Sequence, residues 1–360
     1  MKTVEKVLFV ISNISFGGAQ RVVWTLSQKM RQMGVEPVVV AVGYSTNNYT
    51  LPEGIKVIQL GQKRNLETVF TIRKMRKVIK AENPSAVITM GVATCLFSVP
   101  AVQGLRVTHI ISERNDPKHF KGKVWVRKVS RAMMKRGNGF VFQTEEARDF
   151  YPKKIQNRSC VIPNPIMAAN LPNAESCDDK HVIVTMGRLT EQKNHRLLID
   201  AFSKLLHTHP EYQLHIYGSG ELQAQTAGYI QKKGLQDSAV LFGACDDVLT
   251  RIRDAEMFVL SSDFEGMPNA LMEAMAMGLP CVSTDCPCGG PRYLIRQGEN
   301  GLLVPVGDVE AMVGAMVRLA EDPDLRVSMG SAAKQLRQDL SVDRICKQWL
   351  DFCEEIIHGQ

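Results

Sequence analysis

Short runs of Val, Ile, Leu and Phe alternate with longer amphipathic segments along almost the whole chain. "KVLFVIS" (6–12), "VEPVVVAV" (35–42), "IKVIQL" (55–60), "SAVITM" (85–90), "VTHIIS" (107–112), "GFVF" (139–142) and "SCVIP" (159–163) read as strands. Most of these runs are apolar at consecutive positions, the pattern of parallel strands covered by helices on both faces. After "IPNPIMAANLPNAESCDDK" the pattern restarts with "HVIVTMG" (181–187), "YQLHIYG" (212–218), "AVLFG" (239–243), "MFVLS" (257–261), "PCVST" (280–284) and "GLLVP" (301–305). The Pro, Asn and Asp residues between 163 and 179 mark a linker. The expected fold class is therefore α/β: two Rossmann-like, doubly wound parallel-sheet domains, residues 1–168 and 169–340. Helical stretches are expected at 308–321, 324–338 and 341–357, with residues 341–360 packing back on the first domain.

In open parallel sheets, ligands bind beyond the carboxyl ends of the strands, and two such sheets facing each other form a cleft. The polar motifs fall at those ends: "ISFGGAQR" after the first strand, "SERNDP" after the fifth, "GRLTEQKN" after the first strand of the second domain, then "GSGE" and "SSDFEG".

One of these motifs runs into "EGMPNALMEAMAMGLP". Pro268 suits the first turn of a helix, so Glu265 falls just before its start and Glu273 about a turn and a half inside. Leu271, Met272, Ala274, Met275 and Met277 surround Glu273 and leave it no wide polar face. A buried carboxylate needs a polar partner, which predicts a ligand hydroxyl or a protein donor at Glu273; a narrow solvent stripe is the alternative.

The charge is divided unevenly. Residues 1–168 carry 27 Lys and Arg against 10 Asp and Glu, and residues 169–360 carry 17 against 27, within a net charge of +7. The basic half predicts an anionic partner: a phospholipid surface, a phosphorylated substrate or nucleic acid. A solvated helix face accounts equally for "IRKMRKVIK" (72–80). No apolar run reaches the length of a membrane span, and the first residues lack an unbroken signal core, so the expected location is cytoplasmic. Nine cysteines, an odd number with no CxxC pair, read as reduced thiols.

Gly17 and Gly18 open the first helix, where bare N–H groups can approach a phosphate or sugar, although two glycines there also serve as simple turn formers. There is no GxGxxG and no GxxxxGK[ST], which argues against hydride transfer and ATP hydrolysis. In "GRLTEQKN", Arg188 at a strand end and Lys193 near the next helix start can flank one anion, such as a diphosphate; surface salt bridging is the plainer use. No DxD follows a plausible donor-site strand, Asp246 and Asp247 read as a helix cap and first turn, and no His cluster suggests a metal. No metal or other cofactor is expected.

Together, "GGAQR", "VIPNPI", "GRLTEQKNH", "FVLSSDFEGMPNALMEAMAMGLPCVSTD" and "NGLLVP" resemble glycosyltransferase family 4, retaining nucleotide-sugar transferases of GT-B fold, over nearly the whole chain. Glu265 and Glu273 match the family's EX7E pattern. The resemblance implies that Glu273 holds the ribose hydroxyls, that Glu265 lies by the donor sugar, and that Arg188 and Lys193 grip the diphosphate. It also implies contacts to sugar or phosphate from the amides of Gly266, Met267 and Asn269. Arg114 stands where many relatives have His, and Tyr293 where a Glu is common; Arg114 and Asn115 are expected to meet the acceptor or donor sugar. His109 is expected in the core.

The stretch "KHFKGKVWVRKVSRAMMKR" (118–136) places Arg127, Lys128, Arg131, Lys135 and Arg136 along one expected helix with Val124, Trp125, Val126, Met133 and Met134 between them. It can rest on an anionic bilayer or hold a lipid pyrophosphate, or it is a core-packed helix with a basic face. It resembles the acceptor-side helix of bacterial transferases that extend undecaprenyl-pyrophosphate-linked sugars, including N-acetylgalactosaminyltransferases. The implied activity is transfer of an N-acetylhexosamine or hexose from a UDP-sugar to a lipid-linked glycan at the inner face of the cytoplasmic membrane. A GT-B nucleotide-sugar epimerase and a nucleic-acid-binding protein are the alternatives. The first lacks support beside a transferase motif set; the second lacks interleaved aromatics and leaves the acidic half unexplained.

Overall fold

The computed structural model describes residues 4–15, 17–45, 53–62, 67–119, 124–174 and 180–359, without the side chain of Asn170. Phe16 of "ISFGGAQR", residues 120–123 of the basic stretch and 175–179 of the expected linker lie outside the described residues. The chain divides into two compact units, Met1–Pro165 with Val342–Gln360, and Ile166–Ser341.

The first unit contains β1 (Lys6–Ile11), α1 (Gly18–Gln32), β2 (Glu36–Gly43), β3 (Lys56–Gln62), α2 (Thr68–Glu82), β4 (Ala86–Met90), α3 (Cys95–Val102), β5 (Thr108–Ser112), α4 (Val124–Met134), β6 (Gly139–Phe142), α5 (Glu145–Asp149), α6 (Lys153–Gln156) and β7 (Ser159–Val161). Its sheet is parallel in the order β3-β2-β1-β4-β5-β6-β7. Val7 to Ile11 are buried, with Phe9 in register with Val39 on one side and Ile88 on the other. Burial on both faces is what makes β1 a continuous apolar run. The crossovers through α2, α3 and α4 all step in one direction across the sheet. Right-handedness therefore puts these three helices side by side on one face and α1 on the other. α2 packs on α3 and α3 on α4. Beneath α2 and α3, Met75, Ile79 and Ala101 meet Leu8, Val10, Val38 and Val87.

The second unit contains β8 (Val182–Met186), α7 (His195–Leu205), β9 (Gln213–Tyr217), α8 (Gln223–Lys232), β10 (Ala239–Gly243), α9 (Val248–Arg251), β11 (Met257–Leu260), α10 (Asn269–Met277), β12 (Cys281–Thr284), α11 (Gly290–Leu294), β13 (Leu302–Val304), α12 (Val309–Glu321), α13 (Pro323–Ala333) and α14 (Leu336–Asp339). Its sheet runs β10-β9-β8-β11-β12-β13, also parallel. The order reverses at β8, which lies between β9 and β11, so the carboxyl ends of β8 and β11 form the switch point of this sheet. Phe202 of α7 and Met312 and Met316 of α12 close its core over Leu214, Ile216 and Val259. The chain then returns to the first unit through α15 (Val342–His358), which packs beside α1 and buries Ile345, Cys346, Trp349, Phe352 and Cys353.

Several element boundaries differ from the sequence pattern; β7, for one, ends at Val161, two residues before the expected Pro163. The helix expected over 324–338 is two helices, α13 and α14, broken at Lys334–Gln335, where no Gly or Pro marks the interruption. β3 runs two residues further than expected, to Gln62, through Gly61 at φ 79° and an irregularity in its pairing with β2. α4 ends at Met134, so Lys135 and Arg136 leave the helix expected to carry them.

Candidate active site

The loops after β8 and β9 in the second unit are pressed backbone to backbone. Gly187 N–H donates to Tyr217 O, Leu189 N–H to Ser219 O and Leu222 N–H to Leu189 O. Gly218, at φ 135°, has Gly187 O only 1.9 Å from where a Cβ would stand, and Gly220 has Leu189 O at 2.3 Å. Only glycine permits both approaches. This packing fixes Gly187, across which the Lys193 side chain lies with Cε 3.1 Å from that residue's Cβ position.

Lys193 ends a short 3-10 turn, Glu191–Lys193, and Asn194 caps α7 from the left-handed region, its Oδ1 accepting from Leu197 N–H. Asn194 Nδ2 also donates to Asp263 Oδ1 at 2.7 Å, and Gln192 Nε2 donates to Phe264 O at 2.9 Å. The "EQKN" turn is thereby fastened to the "SDFE" loop that follows β11. Lys193 Nζ lies 2.7 Å from Glu265 Oε1, which also accepts from Ser262 Oγ at 2.8 Å. Both charged side chains are largely buried. His195, the first residue of α7, is held neutral: burial, with a lesser push from Lys193, lowers its pKa to about 4.

The Glu265 loop is supported from the other side by residues 286–290. Glu265 N–H donates to Pro287 O and Cys288 N–H to Glu265 O, while Gly290 would set a Cβ 1.9 Å from Gly266 O. Met267 is buried, Pro268 takes the N-cap position of α10, and Asn269 is its first residue. Glu273 lies on α10 with its neighbours Leu271 to Met277 buried, and is itself 9% exposed. The sequence expectation of a buried acid holds. Arg188 follows β8 but stays exposed and makes no ion pair with the described residues.

Asp247, expected in the first turn after an Asp246 cap, instead takes the N-cap position of α9 itself and caps nothing through its side chain; its carboxylate pairs with Arg251 Nε at 2.8 Å. Tyr293 is half exposed on α11. Among the described residues no three His, Cys, Asp or Glu side chains group to hold a metal.

In the first unit, Gly17 is the extended N-cap of α1 and Gly18 its first residue. Arg114 and Asn115 follow β5 within a polar cluster that sequence reasoning did not assemble. Arg114 donates to Ser112 Oγ at 3.3 Å and to Asn164 Oδ1, which also accepts from Gln143 Nε2 at 2.8 Å. Arg114 Nε and Gln143 Oε1 are buried without a partner. Glu113 accepts from Tyr151 Oη at 2.9 Å and from the N–H groups of Arg114 and Asn115, and burial raises its carboxyl pKa above the ordinary range. His109 is in the core, 1% exposed, with Nε2 2.8 Å from Thr89 Oγ1.

The three cations of α4 separate. Arg131 turns inward, donating to Pro117 O and covering the Phe150 ring at 4.8 Å. Lys128 is exposed and Arg127 half buried. Arg131 stands one turn from Arg127 in sequence, and only the fold reveals that Phe150 draws it away.

The model of the glycosyl transferases group 1 matches residues 169–336, and that of Glycosyltransferase Family 4 matches residues 16–169. The first half of the chain belongs with Glycosyltransferase Family 4 and its second with the glycosyl transferases group 1. The chain is a glycosyltransferase. An uncharacterized glycosyltransferase of Haemophilus influenzae is 25% identical over 353 residues, 96% of this chain and 99% of that protein. The GalNAc-alpha-(1->4)-GalNAc-alpha-(1->3)-diNAcBac-PP-undecaprenol alpha-1,4-N-acetyl-D-galactosaminyltransferase of Campylobacter jejuni is 24% identical over 364 residues, covering 98% of this chain and 99% of its own. Among solved structures, Anabaena HepE in complex with UDP-glucose superposes with a TM-score of 0.84 at 18% identity, over 99% of this chain and 100% of that one. The two parallel-sheet units and this likeness give the GT-B fold.

Proposed function

We propose that this glycosyltransferase moves a sugar from a UDP-sugar to a lipid-linked glycan in polysaccharide or oligosaccharide biosynthesis, with retention at the anomeric carbon. The observation that carries the reading is the buried Lys193–Glu265 pair at the switch point of the second sheet, held by loops whose glycines let backbone pack on backbone. Lys193 and the exposed Arg188 hold the diphosphate and stabilise the charge it gains as the glycosidic bond breaks. Glu265 meets the donor sugar and Glu273 the ribose, with the amides of Gly266, Met267 and Asn269 at the start of α10. Gly17, Gly18, Arg114 and Asn115 serve the sugar or acceptor in the first unit.

In the reaction, the acceptor oxygen bonds to the anomeric carbon on the face from which the diphosphate departs, and the leaving phosphate oxygen takes the acceptor proton. Two cations suffice for the leaving charge, so no metal is part of this reading. The lipid-linked acceptor draws support from the Campylobacter relative's substrate and from the basic first half of this chain. The UDP donor draws support from the UDP-glucose bound by HepE. No helix among the described residues is long and apolar enough to cross a membrane. The reading therefore includes peripheral attachment to the anionic inner face of the cytoplasmic membrane.

The test is transfer of radiolabel from a panel of UDP- and GDP-sugars into organic-extractable lipid by bacterial membranes and purified protein, beside Glu273→Ala. Label from one UDP-sugar, lost in the variant, is expected. Label from a GDP-sugar alone would overturn the donor assignment. Label only in the aqueous phase would overturn the lipid acceptor.

A further inference from the structure

Among the described residues of the first unit, four of the five most exposed large apolar side chains lie in pairs at the starts of two helices, and Tyr44 is the fifth. Val69 and Phe70 in the first turn of α2 are each 61% exposed, and Val124 and Trp125 in the first turn of α4 are 59% and 55% exposed. The pattern then repeats: Arg73 and Lys74 follow one turn along α2, and Lys128 and Val129 one turn along α4, all exposed. α2 and α4 flank α3 on one face of the sheet and run back against the strands, so both first turns lie at its carboxyl end. The short turn Val92–Thr94, which follows β4 at that end, packs on α4. Helices packed side by side set the two tips about 16–20 Å apart.

The geometry points to a membrane-contact surface in which the first turns of α2 and α4 enter an anionic bilayer together. The inference deepens the lipid-acceptor reading and rests on it for its use, since it sets the bilayer at the sheet end where ligands bind. Along α2, Arg73, Lys74 and Lys77 stand about 4–10 Å behind Phe70, the depth at which phosphates lie above a shallowly buried apolar tip. The described residues of α2, α3 and α4 include one carboxylate, Glu82, and it is occupied by Lys56 and Lys6 at the far end of α2. Near the tips stands an acid, Glu67 at the N-cap of α2, outnumbered by the exposed Arg73, Lys74 and Lys77 of the same helix. α2 is the unforeseen half of the surface, because its basic run alone reads as an ordinary solvated face.

The chain contains its own probe. Trp24 and Trp349 are buried, and Trp125 is exposed. Full-length protein mixed with vesicles of phosphatidylcholine containing phosphatidylglycerol should show a blue shift in tryptophan emission, absent in Trp125→Phe and weak with phosphatidylcholine alone. Replacing Val69 and Phe70 together by Ser should lower vesicle partition at least about tenfold, the factor for withdrawing one large apolar side chain from contact. Arg73→Gln with Lys77→Gln should lower it on anionic vesicles only. Emission unchanged by anionic vesicles, partition unchanged in the α2 variants, or a shift produced by an oligonucleotide and not by vesicles would overturn the surface. Vesicle binding without glycosylated lipid would overturn the lipid-acceptor reading alone. Glycosylation of detergent-dispersed lipid without vesicle binding would overturn this surface alone.

Discussion

Lys193 Nζ and Glu265 Oε1 are 2.7 Å apart, joining two loops 72 residues distant in the chain. Each belongs to a separate motif, one after β8 and one after β11, and the switch in strand order makes them neighbours. A carboxylate as buried as Glu265 is costly without a counterion, and Ser262 Oγ satisfies only part of its hydrogen-bonding capacity. Glu265 thus holds Lys193 across Gly187, where the proposed donor's diphosphate would meet it.

Lys193→Ala should reduce transfer by about 10²–10³-fold, the cost of losing one preorganised charge on a leaving group. It should also lower stability, because Glu265 is left without its partner. Adding Glu265→Gln should recover part of that stability but none of the turnover, since a neutral amide needs no counterion. A double-mutant cycle on thermal unfolding should give a coupling of about 1–3 kcal/mol. Strictly additive effects would dissolve the pair as an energetic unit.

Gly218→Ala and Gly220→Ala should each weaken UDP binding and lower the melting temperature, because the added methyl meets backbone oxygen that cannot rotate away. Gly228, exposed within α8 with nothing near its Cβ position, is the control. Gly228→Ala should stabilise by about 0.5–1 kcal/mol through helix propensity and a stiffer unfolded chain. Melting curves with and without UDP separate the cases. Equal behaviour at Gly218 and Gly228 would mean the loop contact is loose.

His109 gives the first unit an acid sensitivity. Burial lowers its pKa from 6.5 to about 4, so the unfolded chain takes up a proton that the folded unit resists. Its contribution to stability is complete above about pH 6.5 and is lost as pH falls toward 4, at about 1.4 kcal/mol per unit of pH. His109→Gln should flatten the dependence of the first unit's melting temperature between pH 7 and pH 4.5. An unchanged slope would move the acid sensitivity elsewhere.

The strands were legible because both sheets are parallel and buried on two faces, so "KVLFVI" and "VVVAV" carry no alternation to confuse them. Glu273 was legible for a related reason: an acid among Leu, Met and Ala contradicts its surroundings. The Lys193–Glu265 pair was not, because long-range pairing depends on strand order, which periodicity does not encode. Arg131 looked equivalent to Arg127 and Lys128, yet Phe150 and Pro117 O turn it inward from outside its own helix. The polar cluster of Glu113, Tyr151, Gln143 and Asn164 is likewise assembled from the ends of neighbouring strands and from the Tyr151 turn after α5.

The last helix tests how the chain is divided. α15 follows the second unit in sequence but belongs to the first, where Trp349 is fully buried and Phe352 5% exposed. Gly139, at the start of β6, leaves room for it: a Cβ there would come within 2.8 Å of Ile356 Cγ1 and 3.1 Å of Phe352 Cζ. Phe352→Ala should therefore cost about 3–5 kcal/mol, and the loss should fall on the first unit alone. Calorimetry in the presence of UDP can assign it, because a donor-site ligand raises only the transition of the unit that binds it. Phe352→Ala should lower the transition that UDP leaves in place and spare the one that UDP raises. A fall in the UDP-responsive transition alone would transfer α15 to the second unit. A single transition lowered as a whole would mean that the two units unfold together.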